Sequence, residues 1–486
     1  MLVLAVLGSL ALLVVRTVAS KAETREVDVA IVGGGLSGLA AAKDLVAAGK
    51  SVLVIEARDR VGGRVLNKRV GKQSVQEMGA EYIGPTQDRV IALAAELGLE
   101  TYDTFNNGSS VLYTGGKIKL YDGVAGLPPI DESSLLEVAT AIDTIDRYAA
   151  TIDVNAPWNH PNASEWDSKT FASWLDTATT SPAARFLLDV STTSIFSAEP
   201  AEMSLLYTLA YIAAGGNQTT KGTIERLTNT AGGSQQTRLV LGSQMYAIRL
   251  AERLGNDRVA LESPVKSITR DDDRYVVKAD ELTVKAQKVI VAMSPPLASR
   301  ISYDPLLPTR RDQLTQRMPM ASVGKIIALY PTPFWRAANL TGQAVSDRGA
   351  VQVTFDNSPK DGSYGAIMGF IEADQMRKLD SASEAEVIRA VTQDYVNYFG
   401  PKAANTTGWL LHRWGLDEWS RGGPVAYGPP GVLTRYGPAL REPFEGIHWA
   451  GTETADYWVG YMDGAVRSGE RVAKEVVAAL ESELRV

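Results

Sequence analysis

The stretch from residue 27 to residue 56 constrains the fold of this chain more than any other. Residues 27–32, VDVAIV, are β-branched and almost continuously apolar, the pattern of a parallel strand covered on both faces. They run directly into Gly33-Gly34-Gly35-Leu36-Ser37-Gly38 and then into the helical pattern LAAAKDLVAAG. In such a G-x-G-x-x-G turn, Gly33 permits the tight reversal, Gly35 lets backbone approach a pyrophosphate, and Gly38 lets the helix pack on the strand. Ser37 belongs to the helix start, where free N–H groups and partial positive charge face the phosphates. A second strand, SVLVIE, ends at Glu56, eighteen residues beyond Gly38. A carboxylate there can accept hydrogen bonds from both hydroxyls of an adenosine ribose. The unit predicts an α/β chain with a Rossmann-like nucleotide-binding domain.

Composition narrows the chemistry. At 486 residues the chain has room for two or three folding units of about 150 residues each. Its formal net charge of −7 and the absence of a Lys/Arg run argue against nucleic acid as a partner. There is no cysteine, which removes disulfides, thiolate metal sites, thiol nucleophiles and a cysteinyl link to a cofactor. The three histidines, His160, His412 and His448, lack metal-ligand spacing, and none follows a GxSxG.

Residues 1–22 read as a signal peptide or an N-terminal anchor. The apolar run within residues 2–15 is shorter than the roughly twenty residues a membrane span needs, and small residues at Ala19, Ser20 and Ala22 suit a cleavage site. A basic n-region is missing, so an uncleaved anchor stays open. Asn107, Asn162, Asn217, Asn339 and Asn405 each head an N-x-S/T sequon. Five sequons favour passage through a secretory pathway; polar surface turns would produce the same triplets. The expectation is a secreted, glycosylated protein without a stable membrane span in its mature form. The C-terminal residues show neither a hydrophobic tail nor a Ser-Lys-Leu address.

Directly after Glu56 comes Arg58-Asp59-Arg60-Val61-Gly62-Gly63-Arg64. Two glycines between arginines suit a loop folding back over a diphosphate, with Arg58 and Arg64 as charge partners. This segment, together with MGAEYIGPTQDR (78–89), TAGGSQQ (230–236), LESPVKSI (261–268), SVGKIIALYPTPFW (322–335), GPPGVLTRYG (428–437) and WAGTETADYWVGYMDGAVRSGER (449–471), resembles the flavin amine oxidase family. Within it, the monoamine oxidases are most similar. The likeness runs over nearly the whole chain after residue 25.

The resemblance implies noncovalent FAD as cofactor, an amine substrate and oxygen as acceptor. Aldehyde or ketone, ammonia and hydrogen peroxide are the implied products, with polyamine or L-amino-acid oxidation, or a flavin protein without turnover, as alternatives. It implies an FAD-binding domain interleaved with an α+β substrate domain: FAD-binding over 25–110, 229–308 and 409–486, substrate-binding over 111–228 and 309–408. Lys325 matches a lysine whose bound water meets the flavin. Its apolar flanks leave two readings, an ammonium that snorkels outward or one buried for a reason.

Tyr461 matches one wall of an aromatic pair that flanks the amine. The ungapped alignment puts Pro424 at the other wall and Gly423 where covalent members have cysteine. Trp419 or Tyr427 would then substitute, or the cavity is one-sided and roomier. Gln235 and Leu227 match cavity-lining and gate positions. Val265 matches the residue whose backbone holds the adenine, and Tyr82 lies in the segment passing beside the flavin. Trp414 and Trp419 match aromatics beside the ring, while Thr452 and Glu453 match the passage along the ribityl and diphosphate. A helix is expected from Gly460, its start near Met462 facing the ring. Family members often form homo-oligomers, and no interface is legible in this sequence.

Overall fold

The computed structural model describes residues 23–71, 74–123 and 127–483; the expected leader, 1–22, lies outside them. Two sheets organise the chain. The strand Glu23–Val32 lies parallel to Leu282–Ala292 on one side and Val52–Ile55 on the other. The sheet continues through Arg274–Lys278, Ser267–Asp271 and Ser302–Asp304 at one end and Val259–Ala260 at the other. Ile447–Ala450 pairs in parallel with the far half of Leu282–Ala292. The apolar run read at 27–32 is the inner part of its strand. Glu23–Glu26 extend the ladder against Leu282–Lys285, where the strand is only partly covered and polar side chains are tolerated.

Helix Leu36–Ala47 packs on this sheet and against the long C-terminal helix Met462–Glu483. Contact is close enough that a Cβ on Gly469 would stand 2.3 Å from the Ser37 carbonyl oxygen. Val29, Ile31, Leu39, Ala41, Leu45, Val54, Val472 and Val476 have no exposed surface and form the core between the layers. The expected helix start at Gly460 falls two residues late: Gly460 has φ +85°, outside helical geometry, and the helix begins at Met462.

The second sheet runs Gly408–Arg413, Val323–Tyr330, Gly365–Glu372, Val353–Asp356, Leu340–Ser346, Ser109–Thr114 and Lys117–Asp122. Gly408–Arg413 pairs with Val323–Tyr330 and forms the edge of this sheet. Helix Glu384–Phe399 packs on it through Val387, Val391, Tyr395 and Tyr398, and Pro182–Phe196 reaches it through Val190. Glu132–Ala149, Phe171–Ala178, Pro182–Phe196 and Leu205–Ala214 pack in a core of their own, and each of these four starts on a side-chain cap. Asp131, Thr170, Ser181 and Ser204 accept from backbone N–H groups of the first turns. These caps explain why the polar-looking 130–228 stretch breaks into helices where it does. No helix among the described residues is long and apolar enough to cross a membrane. Asn107, Asn162, Asn339 and Asn405 are exposed and Asn217 is partly so.

Candidate functional site

One elongated cavity runs along the C-terminal ends of the first sheet's parallel strands and into the second domain, the position where open α/β sheets hold ligands. At its first end, Gly33 turns the chain with φ +111°, and a Cβ there would stand 2.6 Å from the Ala292 carbonyl oxygen. A Cβ on Gly38 would stand 2.0 Å from the Gly33 carbonyl oxygen, so helix and turn touch through bare backbone. Gly35 differs. A Cβ on it would meet nothing within 4 Å, and the space it would fill belongs to the cavity.

The buried Glu56 carboxylate accepts from the Gly34 N–H at 2.7 Å and the Arg58 N–H at 3.0 Å. Each carboxylate oxygen still has acceptor capacity on the cavity side. Pro264, Val265, Ser294 and Arg300 complete this end, and the buried Ser294 hydroxyl has no partner of its own. A glycine cradle at a helix start, a buried acid and an orphaned hydroxyl fit a dinucleotide's ribose and diphosphate.

Arg58 is anchored as well as placed. Its guanidinium donates to Asp417 at 2.5 Å and to the Ser420 hydroxyl at 2.7 Å. This tie draws the turn carrying Trp419 to the nucleotide end, where Lys266 stands over the Trp419 ring at 5.9 Å. Trp419 lines the cavity there together with Ser420. Midway along the cavity, Arg64 holds Glu453 through two bonds of 2.6 and 3.1 Å and also donates to the Pro424 carbonyl. Glu453 is 1% exposed in its side chain and braces Arg64 from behind rather than lining the space. Thr452 lines it, its hydroxyl fastening the Tyr461 carbonyl at 2.9 Å.

At the far end the walls are Val323, Lys325, Phe370, Met78, Ala80, Trp414, Pro424, Tyr461 and Met462. In the antiparallel pair, Lys325 lies opposite Phe370 and Val323 opposite Glu372, so these four side chains share one face of the sheet. Lys325 is 2% exposed. It pairs with Glu81 and donates to the Gly79 carbonyl at 3.1 Å. Of the two sequence readings, the buried one is found. The Trp414 indole donates to the Met78 carbonyl at 2.9 Å, pinning the 78–80 segment along the wall. Burial pushes the Tyr461 phenol up to about 12, so it is neutral. Its ring meets Trp458 edge-on at 4.8 Å and Tyr211 at 6.1 Å.

Several expected wall residues stand elsewhere. Tyr427 turns its hydroxyl to Glu202 at 2.9 Å and does not face Tyr461. Leu227 is 1% exposed in the helical core, and the Gln235 amide donates to its carbonyl at 3.1 Å. Neither lines the cavity, because the 227–236 loop folds back on itself through these bonds. Tyr82 packs on Phe355 and donates to Asn357, behind the wall; Met78 and Ala80 line the cavity instead. Pro424 and Tyr461 both line the space.

Sequence reading missed Glu81, Asp417, Ser197 and Glu372. Glu372 lines the cavity, 8% exposed, and accepts only from the Ser197 hydroxyl at 3.1 Å among the described residues. Burial raises its carboxyl to about 8, with Glu199 adding to the rise. The native state thus holds a proton that the unfolded chain releases near 4.5, so this group costs stability progressively as pH rises from about 4.5 to 8. Glu372→Gln keeps the acceptor for Ser197 without the charge. The variant should melt with wild type at pH 5 and be more stable by roughly 1–3 kcal/mol at pH 8.5. Equal melting temperatures at pH 8.5 would contradict the assignment.

A family model described as flavin containing amine oxidoreductase matches residues 36–477. The chain is 37% identical to the human flavin-containing amine oxidase B over 458 residues, covering 93% of this chain and 86% of that one. Among solved structures it is similar to the cyclohexylamine oxidase of Brevibacterium oxydans, with a TM-score of 0.88 and 34% identity over 94% of this chain and 99% of that one. A putrescine oxidase bound to putrescine gives a TM-score of 0.87 at 35% identity, over 94% and 100% of the two chains. The chain belongs to the flavin-containing amine oxidoreductase family, whose cofactor is FAD.

Proposed function

We propose that this enzyme oxidises a primary aliphatic or arylalkyl amine to an aldehyde or ketone, with ammonia and hydrogen peroxide as the other products and oxygen as acceptor. The observation that carries the reading is the buried Lys325 ammonium on the same apolar cavity wall as Phe370 and Val323, in a cavity closed by Tyr461. FAD, when bound, accepts two electrons from the amine-bearing carbon and delivers them to oxygen. Everything else is the task of the chain. The Gly33–Gly38 turn and Glu56 hold the nucleotide, and Arg64, braced by Glu453, supplies positive charge beside the diphosphate. Phe370, Val323, Met78 and Trp414 exclude water, which favours the neutral amine that oxidation requires. Tyr461 offers a π face that orients the nitrogen lone pair, and Lys325 keeps a fixed positive charge where oxygen is reduced. With no cysteine in the chain, no thioether can form, and FAD is held by these contacts.

Glu372 supports a second reading, a diamine whose distal ammonium pairs with that carboxylate, since no cation of the described protein does so. An amino-acid substrate has less support: Arg58 and Arg64 are committed to Asp417 and Glu453, and Arg300 lies at the nucleotide end. Peroxide release on a panel of butylamine, benzylamine, 1,4-diaminobutane, spermidine and L-leucine separates these. Monoamines are expected to have the highest kcat/KM. A preference of about tenfold or more for 1,4-diaminobutane, lost in Glu372→Gln, would replace the first reading with the second.

A further inference from the structure

We propose that Glu81 is a positioning residue for the reaction with oxygen: it fixes the Lys325 ammonium at the cavity wall, backed by Arg238 and Glu77. The inference rests on the role proposed for Lys325. A lysine in an apolar strand interior needs partners for its ammonium. Here a line of alternating charges supplies them. Lys325 pairs with one carboxylate oxygen of Glu81. The other Glu81 oxygen is 2.6 Å from the Arg238 Nε, and an Arg238 Nη donates to Glu77 at 2.6 Å.

All four side chains are 2% exposed or less; two cations alternate with two carboxyl groups, and burial raises Glu77 against the pull of Arg238. Burial opposes the Arg238 charge, yet Glu77 and Glu81 hold its pKa well above the ordinary value. The remaining titratable neighbours, Tyr82 and Tyr102, are both pushed upward by burial and stay neutral. An ammonium carries three N–H donors. Glu81 and the Gly79 carbonyl take two, and Lys325 itself lines the cavity. The strut thus spends the donors that point into the protein and leaves one for the cavity.

The geometry follows from the 77–81 segment. Met78, Gly79 and Ala80 form cavity wall, while Glu77 and Glu81 flank them and reach the strand Thr237–Leu239 behind, where Arg238 sits. Pairing of the charges serves their burial alone; the terminus at the cavity wall is what ties the line to the reaction.

Three measurements on the FAD-loaded Glu81→Gln protein test the proposal. Reoxidation by oxygen, followed by flavin absorbance after anaerobic reduction with benzylamine, should slow about tenfold or more. Reduction by benzylamine should change less than about threefold. The flavin midpoint potential, read by reductive titration without turnover, should shift in Glu81→Gln, and Glu81→Asp should recover part of each change.

Equal slowing of both half-reactions with an unmoved potential would reduce Glu81 to a structural role and overturn the proposal. If Glu81→Gln does not accumulate as folded protein, Arg238→Lys loosens the same strut and should slow reoxidation in the same way by less; no slowing there overturns the proposal equally. Unchanged reoxidation in Lys325→Met would instead overturn the role of Lys325 itself.

Discussion

Lys325→Met slows reoxidation of the reduced enzyme by oxygen about 100-fold or more and leaves reduction by amine nearly unchanged. Methionine matches the lysine stem in length and apolar character, so the packing against Phe370 and the neighbouring strand survives. What disappears is the charge. Glu81 remains paired with Arg238 at 2.6 Å, which limits the destabilisation to less than the roughly 3–5 kcal/mol of leaving a buried charge with no partner. Stopped-flow absorbance resolves the two half-reactions directly. Equal effects on both would mean that Lys325 shapes the cavity rather than serving the oxygen step. Unchanged reoxidation would remove it from the chemistry.

The second large effect divides two glycines five residues or fewer from the same turn. Gly38→Ala puts a methyl 2.0 Å from the Gly33 carbonyl oxygen and 3.3 Å from the Ile31 side chain. Backbone cannot yield there without separating helix Leu36–Ala47 from its strand, so folded protein should be lost or its stability cut by about 3 kcal/mol or more. Gly35→Ala meets nothing within 4 Å, and its extended backbone (φ −76°, ψ 177°) suits any residue.

That variant should fold at least as well as wild type before FAD is added, gaining up to about 1 kcal/mol from the loss of glycine's freedom in the unfolded chain. Its FAD affinity should fall about tenfold or more, because the methyl fills the space where phosphate approaches. Thermal melts with and without added FAD, together with quenching of flavin fluorescence on binding, check both arms. Full FAD affinity in Gly35→Ala would mean that the cradle does not hold the diphosphate.

What the sequence disclosed follows from how local each requirement is. The turn at Gly33, the helix after it and Glu56 at the next strand end are set by backbone sterics over about thirty residues, and a short stretch of residues states them. Lys325 was legible as an anomaly, a charge in an apolar strand. The groups that explain the anomaly were not. Glu81 and Arg238 are separated by over 150 positions, each reads as an ordinary polar residue, and only the bridge between Ile83 and Thr237 brings them together.

Trp419 shows the same limit. Matching by position puts it beside the ring and it does line the cavity, but the Arg58–Asp417 and Arg58–Ser420 bonds that hold its turn join residues over 350 positions apart and leave no local signal. Tyr427 was similarly plausible by proximity in sequence to Pro424, yet an acid from another helix connection, Glu202, claims its hydroxyl. Glu372 escaped notice because the last residue of a strand is normally solvated. Here the Ser197 turn covers it.

The central claim is that one cavity of this chain binds FAD by noncovalent contacts and brings an amine to it. Anaerobic addition of benzylamine or butylamine to the purified protein, followed by acid precipitation, tests it most directly. The account predicts a yellow protein whose absorbance near 450 nm bleaches with amine, returns when air is admitted with peroxide released, and passes wholly into the supernatant as FAD on precipitation. A protein that carries no flavin after incubation with FAD, or flavin that no amine bleaches, would contradict it.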